Sequence, residues 1–201
     1  MNKPSQGQVL NAISVLINNT DWNAVDASIL QKVIDNPKDA GRELTLFLKN
    51  GGRVITIDRT NPFDPVPFIG PGSSILEQDN RSLLLTEVDL TKIKLQTTLE
   101  ADENSVQGEE NLKRLIKVDT IRLDAKVFQT FWENPSLIPE NFKQLTNGET
   151  TYVFFPGTVL RHSRGHRYVL YLYWNDGEWR WGYHWLAEEW HADSPSAVLE
   201  S

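Results

Sequence analysis

Along the first fifty residues the apolar positions recur every three or four, which is the period of a helix. Val9, Ile13, Leu16 and Ile17 make one face. Ile29, Leu30, Val33 and Ile34 make a second, and Ala40, Leu44, Phe47 and Leu48 a third. Asn18-Asn19-Thr20-Asp21 reads as a stop and restart. Asn36-Pro37 ends the second helix, because the residue before proline avoids the α region. Asn50-Gly51-Gly52 closes the third with residues that tolerate positive φ. Connections this short predict three short antiparallel helices.

The pattern then changes. Residues 53–58 read as a strand, and 61–74 (NPFDPVPFIGPGSS) as a Pro/Gly-rich connection hugging the surface. Residues 83–88 and 93–99 are further strand candidates. The stretch 100–110 carries five acids and no base, which predicts a solvated, mobile loop. A short helix is expected over 111–118. A stronger one follows over 123–132, with Val127, Phe128, Phe131 and Trp132 on one face and Asn134-Pro135 as its stop. From 151 the pattern is β to near the end, and 188–201 reads as a short helical turn and polar tail. Residues 31–51 and 129–148 both run Gln, then Asn-Pro, then Asn-Gly, a weak echo built of common punctuation.

Five of the seven Trp lie between Trp174 and Trp190, in YLYWNDGEWRWGYHWLAEEW. Asn175-Asp176-Gly177 is a hairpin signal. Trp179, Trp181, Tyr183 and Trp185 alternate with Glu178, Arg180, Gly182 and His184, so period two puts the four aromatics on one face. A two-residue turn at Asp176-Gly177 would oppose Trp174 to Trp179, Leu172 to Trp181, Leu170 to Tyr183 and Tyr168 to Trp185. It would lay Tyr171 over Gly182, a compensation for a strand glycine. A three-residue turn with Gly177 in a bulge would shift the pairing by one. The two-residue register is preferred. Such a face either packs on helices as core or stays open as a stacking platform for sugars, bases or peptides. Trp190, outside the hairpin, is the least constrained of the five.

Arg161-His162-Ser163-Arg164-Gly165-His166-Arg167 is the densest positive cluster in the chain, with a turn at Arg164-Gly165. Guanidinium groups bind phosphate or carboxylate bidentately, so Arg161, Arg164 and Arg167 mark a candidate anion grip, with His166 beside them. The competing reading is a solvated loop tip.

Composition narrows the function classes. At 39% hydrophobic and 23% charged, 201 residues suffice for a core and do not suggest wholesale disorder. The net charge of −7 disfavours general nucleic-acid binding. Cys is absent, which removes disulfides, thiolate nucleophiles and Cys-based metal sites. No run approaches a membrane span and the N-terminus is a poor signal peptide, so a soluble cytoplasmic protein is expected. There is no Walker A sequence and no GxSxG elbow. HWLAEEWH departs from HExxH, and no metal site is expected from His162, His166, His184 and His191. Asp58, Asp64 and Asp176 read as turn or capping acids.

The pieces ENPSLIPENFK (133–143), YVFFPGTVLRHSRGHRYV (152–169), LYWNDGEWRWGYHWL (172–186) and SPSAVL (194–199) carry a resemblance. In them the chain resembles an uncharacterised bacterial protein family with a helix ending at Asn-Pro, a YVFFxGT strand pair and a WxWxYxWL strand. The resemblance covers the last third to half of the chain. It implies a soluble cytoplasmic α+β domain and brings no activity, cofactor, partner or residue role.

The expected fold is α+β. A helical region spans 1–52, and an α+β region spans 53–201 with its C-terminal antiparallel sheet at 151–187, as one compact domain. The expected function is a non-enzymatic binding or adaptor domain for a protein, peptide or glycan, with no cofactor. Its site would be Trp174, Trp179, Trp181, Tyr183, Trp185 and Trp190, with Arg161, Arg164, Arg167 and His166. One alternative is a hydrolase of glycans or phosphoesters using His162, His166 or His184 with an acid. The other is a single-stranded nucleic-acid binder using the same surface.

Overall fold

The computed structural model describes residues 3–50 and 53–200. The chain divides into two compact units, 1–51 and 52–201.

The first unit is helical: α1 (Gln6–Asn19), α2 (Ala27–Asp35) and α3 (Pro37–Asn50), with a 3-10 turn at Trp22–Ala24. Each break is set by local chemistry. Ser5 and Gln8 form a capping box at the start of α1. Asp26 caps α2 through Ser28 N. α2 ends at Asn36, before Pro37, as the sequence requires. Of the expected stop after α3, Gly51 and Gly52 lie outside the described residues. No residue of α1 or α2 is buried.

The second unit runs β1 (Val54–Thr56), α4 (Val66–Ile69), β2 (Ser74–Gln78), α5 (Asn80–Leu83), β3 (Glu87–Asp89), β4 (Ile93–Gln96), β5 (Ser105–Gln107), α6 (Gly108–Lys117), β6 (Thr120–Arg122) and α7 (Ala125–Glu133). It ends in β7 (Val153–Phe154), β8 (Thr158–Arg161), β9 (Arg167–Asn175), β10 (Glu178–Trp185), β11 (Glu189–His191) and β12 (Ser196–Glu200). The fold is therefore α+β. The main sheet has the order β2-β8-β9-β7-β12-β4, with β10 added to β9 and β6 to β12. Its pairings are antiparallel except β12 with β7, where Ser196 meets Phe154.

Both faces of this sheet carry a hydrophobic core. Leu160, Leu170, Leu172, Ala197 and Leu199 pack with Phe128 and Phe131 of α7 on one side. Phe154, Val159 and Val169 pack with Leu112 of α6, Leu186 and Trp190 on the other. α7 is anchored by Asp124, fully buried, whose carboxylate accepts from Lys126 N and Val127 N and pairs with Arg59 Nη1 at 2.7 Å. Arg59 also donates to the carbonyls of Ser82 and Leu85, so the buried charge is fully engaged.

Three expectations are corrected, and the echo read as common punctuation finds its physical cause. The connection 61–74 does not merely hug the surface: Phe63 and Ile69 are buried and Phe68 packs on the core. Its Pro and Gly residues hide a short helix, α4, and the strand β2 begins at its end. The acidic stretch 100–110 is not a free loop, because β5 pairs with β11 and α6 begins at Gly108. Val106 is buried, while Glu103 pairs with Arg114 and Glu109 with Arg167. The tail 188–201 is two strands, and β12 lies inside the main sheet between β7 and β4 with residues 196–199 buried. The echo between 31–51 and 129–148 is a shared helix stop. Asn36 and Asn134 have similar backbone angles, and each side chain donates to the carbonyl four residues back. Beyond it the two segments diverge, into the 14-residue α3 and the 3-10 turn Pro135–Leu137.

Candidate functional site

The β9–β10 hairpin has the preferred register. Trp174 faces Trp179, Leu172 faces Trp181, Leu170 faces Tyr183 and Tyr168 faces Trp185. Asp176 (φ 52°) and Gly177 (φ 81°) both take positive φ, the mark of a type I′ turn that matches strand twist. Tyr171 lies over Gly182 so closely that a Cβ there has no room.

The aromatic face is not uniform along its length. At the turn end Trp179 and Trp181 are partly buried and pack against the core. The Trp181 ring lies 5.1 Å from Phe68, 6.4 Å from Phe128 and 6.3 Å from Trp132, so α4 and α7 cover it. Trp174 and Trp179 meet edge to face at 5.2 Å, and Lys143 Nζ sits 4.3 Å above the Trp174 ring. At the far end the cover stops. Tyr183 is 46% exposed and meets Tyr168 edge to face at 5.1 Å. Trp185, partly exposed, stacks on exposed His166 at 4.7 Å, and the Tyr168 hydroxyl lies 3.4 Å from His166 Nδ1. His162 approaches the same Tyr168 ring at 6.3 Å.

Trp190 corrects the expectation of freedom outside the hairpin. It is 2% exposed, stacks on Phe154 at 4.1 Å and lies under the start of α6. It belongs to the core on the opposite face, beside Tyr152 and Tyr171. Burial, the larger effect, raises the Tyr171 phenol above its usual value, and the neighbouring Tyr173 and Tyr152 add to it.

The basic tip does not converge either. Arg161 pairs with Arg167 across β8 and β9, in the strand phase of Val159 and Val169 rather than that of Leu160 and Tyr168. Both Arg therefore project from the face opposite the open aromatics. Arg167 is held by Glu77 at 2.5 Å and Glu109 at 2.7 Å. Arg180 is held by Glu178 at 2.8 Å. Among the described residues Arg161 and Arg164 have no ion-pair partner. The histidines, not the arginines, share the aromatic side of the tip.

Among the described residues no hydrogen bond joins His162, His166 or His184 to a carboxylate. His162 Nδ1 accepts from Arg164 N, His166 stacks on Trp185, and His184 Nε2 lies 3.4 Å from the Glu189 carbonyl. Among the described residues no group of three or more His, Asp or Glu is placed to hold a metal. Asp58 and Asp64 accept from the backbone of Thr60 and Val66, as turn and capping acids do.

One feature of the site escaped sequence reasoning. β10 has a single strand neighbour, β9, so the outer edge of its eight residues presents backbone groups without a partner strand among the described residues. That edge runs past Tyr183. No helix among the described residues is long and apolar enough to cross a membrane. Comparison with protein-family models, with curated proteins and with solved structures finds no match to this chain.

Proposed function

We propose that this protein is a non-enzymatic binding domain whose ligand is an extended peptide segment added to the free edge of β10. The observation that carries the reading is the coincidence of an unpartnered edge strand with the open end of an aromatic face, at Tyr183. Strand addition satisfies the edge N–H and C=O groups and gives affinity, while side-chain pockets give specificity. Every second residue of the added strand would fall on the aromatic face, against Tyr183 and Trp185. Apolar or aromatic residues fit there. A glycan would use the rings and leave the edge unsatisfied. Single-stranded nucleic acid is disfavoured because Arg167 and Arg180 are already paired with carboxylates.

The test is selection of a phage-displayed random-peptide library on the full-length protein, in parallel with Tyr183→Ala. The expected result is enrichment of peptides with apolar residues at alternate positions, lost on the variant. Equal enrichment by Tyr183→Ala, or binding of oligosaccharides with no peptide enrichment, would overturn the reading.

A further inference from the structure

The helical unit carries a second surface, independent of the hairpin. Twelve large apolar side chains of α1, α2 and α3 stand between 39% and 61% exposed. α1 shows Val9, Ile13 and Ile17 along one side and contains no charged residue from Gln6 to Asn19. A 14-residue helix without tertiary packing is marginal in water. α2 and α3 enclose an apolar groove of about 710 Å³ floored by Ile29, Val33 and Leu44, with Lys32 and Asp39 at its rim. An uncharged amphipathic helix and an apolar groove are complementary, and both occur in the same unit.

The groove is lined by residues of α2 and α3, none of α1, and the turn that leads from α1 to α2 is fixed by its own hydrogen bonds. The Trp22 indole donates to the Ile17 carbonyl at 3.0 Å, and Asp21 and Asp26 accept from Asn23 N and Ser28 N. Charge then selects the partner. Residues 1–51 carry five basic and five acidic side chains, so they are formally neutral, and the net charge of −7 belongs wholly to the rest of the chain. Two helical units approach each other without net repulsion, whereas two copies of the remainder repel. A membrane surface is a poor occupant, because interfacial helices draw on Lys and Arg and α1 has neither.

We propose that the helical unit is a self-association module in which α1 of each copy lies in the α2–α3 groove of a second copy. Such an exchange is isologous and closes at two copies, so it makes a dimer and not a fibre.

Sedimentation velocity on the full chain tests this, at concentrations up to about 100 μM, where even micromolar association is nearly complete. The expected mass is twice the 23.0 kDa of one chain. Ile13→Asp spoils the helix and Val33→Asp spoils the groove, and each alone should give monomer. Mixed, the two variants should regain association, because one intact helix then meets one intact groove. Near-UV circular dichroism, dominated by the six Trp beyond residue 52, checks that the remainder stays folded in each variant. A monomeric wild type at the highest concentration would overturn the proposal. So would a dimer indifferent to both substitutions, a mixture that stays monomeric, or a monomer captured by phosphatidylserine vesicles.

Discussion

The two ends of the β9–β10 hairpin are built from the same residue types in the same alternation, yet they do different work. At the turn end Trp181, partly buried, packs against Phe68, Phe128 and Trp132 of the core. At the tip end Tyr183 stands 46% exposed, and Trp185 stacks on the exposed ring of His166. What separates them is the reach of α7 and α4, which roof one end of the strand pair and stop short of the other. An aromatic stripe in a strand thus becomes core or platform according to what packs above it, and the stripe alone does not say which.

The comparison breaks first at the packed end. Trp181→Ala should remove about 3 kcal/mol from the stability of the second unit, the usual cost of deleting a well-packed indole, as read by urea unfolding. Arg59→Met should cost about 3 kcal/mol as well, because it leaves the fully buried Asp124 carboxylate without its cation under the helix on which Trp181 rests. Tyr183→Ala at the open end should move stability by less than about 0.5 kcal/mol. It should still weaken binding of library-selected peptides at least tenfold, a loss of about 1.4 kcal/mol in affinity. If Tyr183→Ala destabilised as much as Trp181→Ala, the two ends would be one core.

The smallest effect lies away from the hairpin. Hydrogen bonds from Arg114 hold the Glu103 carboxyl at about 2, below its usual 4.5. A carboxyl lowered on folding contributes stability above the unfolded value, and that contribution fades as pH falls from about 4.5 towards 2. Asp79 behaves in the same sense. Burial alone would raise it, but the Arg81 N–H and the Arg122 guanidinium and N–H outweigh burial and lower it. The advantage of wild type over Glu103→Gln in urea midpoint should therefore be present at pH 7 and vanish near pH 2. Tyr183→Ala should leave that profile unchanged.

What was legible in the sequence was what neighbouring residues decide. Asn175-Asp176-Gly177 and the alternation after it fix the hairpin and its register, because turn geometry and period two are local. The helix stops at Asn36 and Asn134 are likewise local. What was not legible depends on distant partners. β11 pairs Trp190 with Val106, and β12 finds β4, β6 and β7, so a short run such as Ser196-Ala197-Val198-Leu199 looks like a tail until its neighbours are known. Phe63 and Phe68 were masked by the prolines around them, and the charges of 100–110 masked Val106. The split of the basic tip was within reach, since period two already places Arg167 opposite in phase to His166 and Tyr168. That no strand among the described residues lies beyond β10 needed the three-dimensional sheet as well.

The most direct test of the binding claim follows the indole N–H signals of the seven Trp by heteronuclear NMR during titration with library-selected peptide. Trp185 should shift most, while Trp181 and Trp190 stay in place. A response centred on Trp181 or Trp190, with Trp185 unmoved, would contradict it.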